Sequence, residues 1–300
     1  MASDVPAHGL ALRSLITAEG RLRLSLDAVP VQPPGEGEVL VRVEAAPLNP
    51  SDVGLLLGPA DLGTLTVEAD GATTAAIPPA MMRAMASRVG QPLPAGVEGA
   101  GTVIAAGPDA ASQALLGRRV SVFGGLMFAQ YRTAPTAGLL PLPDTATARD
   151  GAAAFANPLT ALAMVESLAL EGHKALVHTA AASNLGLMLN RICLADGVGL
   201  VNIVRSADQA RLLKDLGAAH VVDSSTPGFM TDLVAALTAT DATLAFDAVG
   251  GGPLANQILS AMEQAQSAKL GAYSRYGSST HKQVHIYGGL STAPTELARS

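Results

Sequence analysis

Cysteine, tryptophan and surplus positive charge are scarce or missing in this chain. Its one cysteine is Cys193, which excludes an intramolecular disulfide and a four-cysteine zinc site. Cys193 falls on the apolar side of a helical pattern and reads as a small buried hydrophobe, not a nucleophile. Tryptophan is absent and aromatic residues make up 3% of the chain, so the core must be aliphatic and rich in alanine. The 19 Lys and Arg are outnumbered by 25 Asp and Glu, which argues against nucleic-acid binding. No apolar run is long enough to span a membrane. Residues 1–20 carry scattered charges without the apolar stretch of a signal peptide. The expectation is a cytoplasmic globular protein. Its 300 residues suffice for two domains and at least one large core.

The pattern changes near residue 150. Residues 1–150 read as β-rich: strands are expected at Leu22–Leu26, Val39–Glu44, Val97–Gly107, Arg119–Phe123 and Met127–Arg132. A Pro-Gly break separates the first two. The long segment Gly58–Gly90 has weak periodicity, with a short helix expected at Pro79–Arg88. Ala152–Ala169 is Ala-rich and helical. Strands at Ala175–Thr179, Leu200–Val204, His220–Val222, Ala242–Phe246 and Gln283–Tyr287 then alternate with four helices. That alternation predicts an α/β fold, a doubly wound parallel Rossmann sheet. The polar stretch Ser267–Thr280 reads as loop.

The chemistry concentrates between Lys174 and Arg205. An apolar strand, a turn of small residues, a helix and a second apolar strand ending on a cation follow in order. This is the order of a dinucleotide-binding βαβ unit. The spacing is Ala181-x-Ser183-x-x-Gly186, with small residues replacing two of the three glycines of G-x-G-x-x-G. The turn residues Ser183, Asn184, Leu185 and Gly186 are placed to meet a pyrophosphate at the helix N-terminus. Arg205 stands where an NAD enzyme usually carries Asp or Glu. A guanidinium suits a 2′-phosphate, so the expected cofactor is NADPH. The nearby Asp208 belongs to a capping pattern, Ser206-Ala-Asp-Gln209. His178 at the first strand's tip reads as a structural histidine. Asp247 reads as a residue that caps its own loop.

Five stretches together resemble the medium-chain dehydrogenase/reductase superfamily, in its zinc-independent, quinone-oxidoreductase-like branch. They are Leu48-Asn49-Pro50-Ser51-Asp52, Gly96–Gly101, Asn157–Leu162, Ala180–Gly186 and Phe246–Gly251, and they span nearly the whole chain in family order. The resemblance implies a GroES-like substrate domain (1–150), a Rossmann domain (151–290) and a stub of a returning C-terminal segment (291–300). It implies an active site in the cleft between the two domains. Zinc-dependent members carry Cys where this chain has Leu48-Asn49, and Gly-His-Glu where it has Gly96-Val97-Glu98, so no metal is expected. Thr160 matches a position near the nicotinamide and phosphates. Val249 and Gly250 are expected to flank the ribose and nicotinamide, with Tyr287 and Gly288 nearby. Asn49 and Asp52 match the branch's Asn-x-x-Asp. The Tyr that often follows by two residues is here Gly54, which leaves the proton donor open among Asn49, Asp52, Tyr287 and water. Glu98 is a structural carboxylate or a catalytic one. The chain ends earlier than family chains usually do.

The resemblance implies a zinc-independent, NADPH-dependent homodimer passing hydride to a small-molecule acceptor such as a quinone or enone. The alternative is an NADPH-binding protein without turnover. A hydrolase is disfavoured because Ser183 and Thr179 lack a His-acid pattern.

Overall fold

A computed structural model describes residues 5–271 and 274–298. Residues 299–300 of the expected stub, residues 272–273 of the expected loop and residues 1–4 lie outside the described residues. Contacts divide the chain into two compact units, Met1–Ala156 and Asn157–Ser300.

The first unit contains strands β1 (His8–Ile16), β2 (Arg21–Pro30) and β3 (Glu38–Ala45), then helix α1 (Pro50–Leu57). Strands β4 (Asp61–Val67) and β5 (Thr73–Ala76), helix α2 (Pro79–Met82) and strand β6 (Leu93–Pro94) follow. The unit closes with β7 (Glu98–Ala106), α3 (Ala110–Gln113), β8 (Arg119–Phe123), β9 (Tyr131–Pro135), β10 (Leu139–Pro141) and α4 (Ala148–Gly151). One antiparallel sheet has the order β4-β5-β2-β1-β6 and the other β10-β8-β7-β3-β9. Val39 and Val41 of β3 meet Val103, Val120, Val122 and Met127 in an aliphatic core. Ala148 of α4 packs with Ala100 and Leu142, which carries the unit past residue 150 to Ala156.

The strand expected at Met127–Arg132 starts later, at Tyr131. Gly124, Gly125 and Leu126 all take positive φ. They swing the chain so that Met127 and Phe128 donate to the carbonyls of Gly96 and Ala95 instead of joining a ladder. The segment 58–90, which has no regular period in sequence, contains β4, β5, α2 and a 3₁₀ turn at Ala86–Arg88.

The second unit follows its expected alternation closely. Helix α5 (Ala156–Leu170) carries Pro158 in its first turn, where a missing N–H is harmless. Then come β11 (Ala175–His178), α6 (Asn184–Asp196), β12 (Gly199–Val204), α7 (Ala207–Asp215), β13 (His220–Asp223), α8 (Phe229–Thr240), β14 (Leu244–Asp247), α9 (Leu254–Ser267) and β15 (Gln283–Ile286). Among the described residues the sheet has five strands in the order β13-β12-β11-β14-β15, all parallel. Its inner strands β11, β12 and β14 are buried on both faces, as parallel strands between helices are. Val177, Val201, Ile203 and Ala245 meet Leu233 and Ile258 from α8 and α9. Leu176, Leu200, Leu244 and Phe246 meet Ala161 and Met164 of α5 and Leu189 and Cys193 of α6. Burial pushes the Cys193 thiol up to about 12, so it stays protonated and inert.

Candidate functional site

In the first unit the expected site residues form a closed polar knot. Asn49 is the N-cap of α1, with Pro50 following and Asp52 in the first turn. The Asp52 carboxylate accepts the N–H of Asn49 at 2.9 Å and that of Val97 at 3.0 Å. The Asn49 amide donates to Glu98 at 3.1 Å. The other oxygen of Glu98 accepts the N–H groups of Phe155 and Ala156, each at 2.9 Å. Glu98 is fully buried and Asp52 nearly so. Both carboxylates are consumed by this unit's own donors. Leu48, beside them, is exposed. Among the described residues no three His, Cys, Asp or Glu side chains are grouped to hold a metal ion.

The second unit is organised around the turn between β11 and α6. Ala180 takes φ of 50°, a left-handed conformation that costs a residue with a Cβ about 1 kcal/mol. At Gly186 a Cβ would stand 2.2 Å from the Ala181 carbonyl oxygen, so only glycine lets α6 cross this closely over the turn. Ser183 caps α6, its hydroxyl accepting the Gly186 N–H at 3.2 Å. Among the described residues, the N–H groups of Asn184 and Leu185 have no protein acceptor. Two free donors at the positive end of a 13-residue helix suit an anion such as a pyrophosphate.

Across β12 the exposed Arg205 follows the strand. Its own N–H donates to the Gln209 side chain at 3.1 Å, and Ser206 caps α7. The reciprocal box is therefore shifted, since Gln209 reaches Arg205 instead of the cap residue. The Arg205 guanidinium has no protein partner among the described residues. It borders a cavity of about 450 Å³ with Ser183, Gln209, Ser224, Val249 and Ser291. Ser224 and Ser291 were not singled out from sequence, and Gln209 was read only as part of a capping pattern. Ser224 follows β13, and the carboxyl ends of strands are where ligands bind in such sheets. That rule, applied to β13, would have found it.

Gly250 and Gly288, expected near the ribose and nicotinamide, do not border this cavity, and Asp247 caps its own loop as expected. Asp247 binds the N–H groups of Val249 and Gly250 and accepts the Thr179 hydroxyl at 2.7 Å. A Cβ at Gly250 would meet the Gly288 carbonyl oxygen at 2.4 Å, and one at Gly288 the Ala248 oxygen at 2.4 Å, so these glycines let two loops close on each other. Thr160 lies in α5, half-buried, and does not border the cavity.

Tyr287, just past β15, reaches over β14 to the tip of β11. Its hydroxyl is 2.8 Å from His178 Nε2, and the planes of the two rings lie 19° apart. His178 is fully buried, and burial drives its pKa down to about 4. Tyr287 remains 41% exposed. Partial burial and the nearby Asp247 charge push its phenol up to about 12. The pair is therefore uncharged at neutral pH.

Comparisons with known proteins agree with this architecture. The model of the alcohol dehydrogenase GroES-like domain matches residues 35–144. The rat synaptic vesicle membrane protein VAT-1 homolog is 28% identical over 238 residues, covering 78% of this chain and 52% of that protein. The chain thus spans about half the length of the curated relatives it matches. A crystal structure of a mycobacterial protein complexed with NADPH shares the fold, with a TM-score of 0.63 at 22% identity over 97% of this chain and 76% of that one. A Mesorhizobium loti protein described as an NADPH:quinone reductase superposes with a TM-score of 0.69 at 32% identity, covering 97% of this chain and 77% of that one. With that identity sustained over both units, the chain belongs to the medium-chain dehydrogenase/reductase superfamily, in its quinone-oxidoreductase-like branch.

Proposed function

We propose that this protein is an NADPH-dependent oxidoreductase that reduces a small activated acceptor, a quinone or an α,β-unsaturated carbonyl. The observation that carries the reading is the unpartnered Arg205 guanidinium beside the cavity that starts at Ser183. A cation on that cavity with no protein partner among the described residues, and free helix N–H groups on the two residues that follow Ser183, match the separated phosphates of NADPH better than the bare ribose of NADH. The identity with the Mesorhizobium loti protein described as an NADPH:quinone reductase supports the same assignment.

In this reading the N–H groups of Asn184 and Leu185, with the Ser183 hydroxyl, hold the pyrophosphate. Arg205 holds the 2′-phosphate, and Gln209 fixes the Arg205 backbone. Val249 borders the cofactor with its backbone held by Asp247. Bound NADPH supplies hydride, two electrons with one proton. The protein's contribution is orientation and exclusion of water. Asn49, Asp52 and Glu98 act as scaffold, because both carboxylates are already filled by protein donors and the Asn49 amide is spent on Glu98. Zinc is not required, since Leu48, Asn49 and Val97 offer no ligand comparable to thiolate or imidazole. A homodimer fits the outer edge of β15, which is unpaired among the described residues and where Ile286 is exposed. The cytoplasm fits the single buried cysteine.

Titration with NADPH and NADH, read by nicotinamide fluorescence, tests this directly. Tighter binding of NADPH, followed by its oxidation with a member of a quinone and enone panel, is the expected result. Binding without turnover across the panel would reduce the protein to a nucleotide binder. Failure to bind either nucleotide would overturn the assignment.

A further inference from the structure

We infer that His178 is a positioning residue that arms Tyr287 as the proton donor to the reduced acceptor. The inference rests on the reductase reading and adds the missing acid to it. Asn49 and Asp52 are occupied by backbone and side-chain partners, and Gly54 has no side chain to offer a proton. The Tyr287 hydroxyl is held by one buried imidazole, and the residue stays partly exposed at the carboxyl end of the sheet. Ligands bind at that end in such folds.

The direction of the His178–Tyr287 bond follows from the other ring nitrogen. Among the described residues, His178 Nδ1 is buried and has no hydrogen-bond partner. A neutral imidazole carries its proton on one nitrogen only. If Nδ1 carried it, a buried N–H would be orphaned; if Nε2 carries it, a bare lone pair is left at Nδ1. An orphaned buried N–H is the rarer state in folded proteins. Nε2–H therefore donates to the Tyr287 oxygen. The phenol keeps its own proton to give away, and the imidazole stabilises the phenolate that results.

The balance of the step is simple. Hydride adds to the acceptor carbon, and the electron pair of the acceptor's π-bond moves to its oxygen. The O–H bond of Tyr287 breaks as that oxygen takes the proton. The Tyr287 phenolate is reprotonated by solvent water through its exposed side. No oxidant beyond the acceptor and no reductant beyond NADPH is needed.

Two measurements test the inference. Imidazole-¹⁵N NMR of the wild-type protein near neutral pH reads the His178 tautomer without any turnover. Protonated Nε2 with bare Nδ1 is expected, and protonated Nδ1 overturns the inference. Tyr287→Phe is then expected to lower kcat about a hundredfold with the NADPH dissociation constant unchanged. His178→Leu should lower kcat about tenfold through lost orientation, and should add nothing in the double variant. Additive losses, or an unchanged kcat in Tyr287→Phe, would refute the role. If His178→Leu does not fold, the tautomer and Tyr287→Phe still decide. If the wild-type protein binds no NADPH, the reductase reading fails, and that outcome is distinct from a wrong tautomer in a protein that turns over.

Discussion

The polar groups around Asn49 in the first unit and those around the glycine turn in the second are finished differently. In the first, Asn49, Asp52 and Glu98 close on one another and on backbone N–H groups of Val97, Phe155 and Ala156. In the second, the Arg205 guanidinium, the N–H groups of Asn184 and Leu185, and His178 Nδ1 lack protein partners among the described residues. A buried polar group left unmatched costs about 1–3 kcal/mol. Of these groups His178 Nδ1 is buried and Arg205 is exposed; polar groups left open at the carboxyl end of one sheet are available to a ligand. By this contrast we propose the motif around Asn49 as scaffold and the degenerate glycine turn as the site.

The largest effect should come from opening the closed knot. Glu98→Ala leaves the Asn49 amide and two backbone N–H groups buried without an acceptor. We expect a loss of about 3–5 kcal/mol in urea unfolding of the first unit, with NADPH affinity of the folded protein intact. A loss below about 1 kcal/mol would mean water already serves these donors. Next is the pH response of His178. Its folded pKa, about 4, lies below the ordinary value of 6.5. The unfolded chain therefore binds the extra proton, and folding stability falls as pH drops from 6.5 towards 4. Relative to His178→Gln, the wild-type protein should lose roughly 2–3 kcal/mol more between pH 7 and pH 4.5. Equal losses would show that the imidazole is already hydrated in the native state.

This contrast also explains what could be read in the sequence. The strands of the second unit were legible to within a residue or two because Leu176 and Val177 face opposite cores, so each strand is an apolar run set between amphipathic helices. β4 was not legible, because every one of its residues is exposed and no core face imprints a period. β1 misleads in another way. Gly9 and Ala11 face inward while Leu10 points outward, since a Cβ at Gly9 would collide with the Tyr131 ring. At the site, the turn and Arg205 were legible because their chemistry is local. The His178–Tyr287 bond joins residues 109 apart and exists only because β14 alone separates β11 from β15. No spacing rule in one sequence supplies that order.

Two smaller effects separate function from scaffold inside the open site itself. Arg205→Ala should weaken NADPH binding by roughly 1.5–3 kcal/mol, as for a lost charged hydrogen bond, and leave NADH binding nearly unchanged. Equal weakening of both nucleotides would place Arg205 on the shared pyrophosphate. The neighbouring Ser206→Ala makes the sharper comparison, because Ser206 carries a hydroxyl at the same strand end. That hydroxyl already accepts the Gln209 N–H, at a long 3.4 Å, so its removal should cost about 0.5–1 kcal/mol of stability in chemical denaturation. The Arg205 backbone would stay fixed, since its N–H donates to the Gln209 side chain and not to Ser206. The preference for NADPH over NADH should then survive Ser206→Ala intact. If the preference falls with it, the 2′-phosphate is read by the serine hydroxyl as well. The line between occupied and open polar groups would then have to be redrawn through α7's own cap.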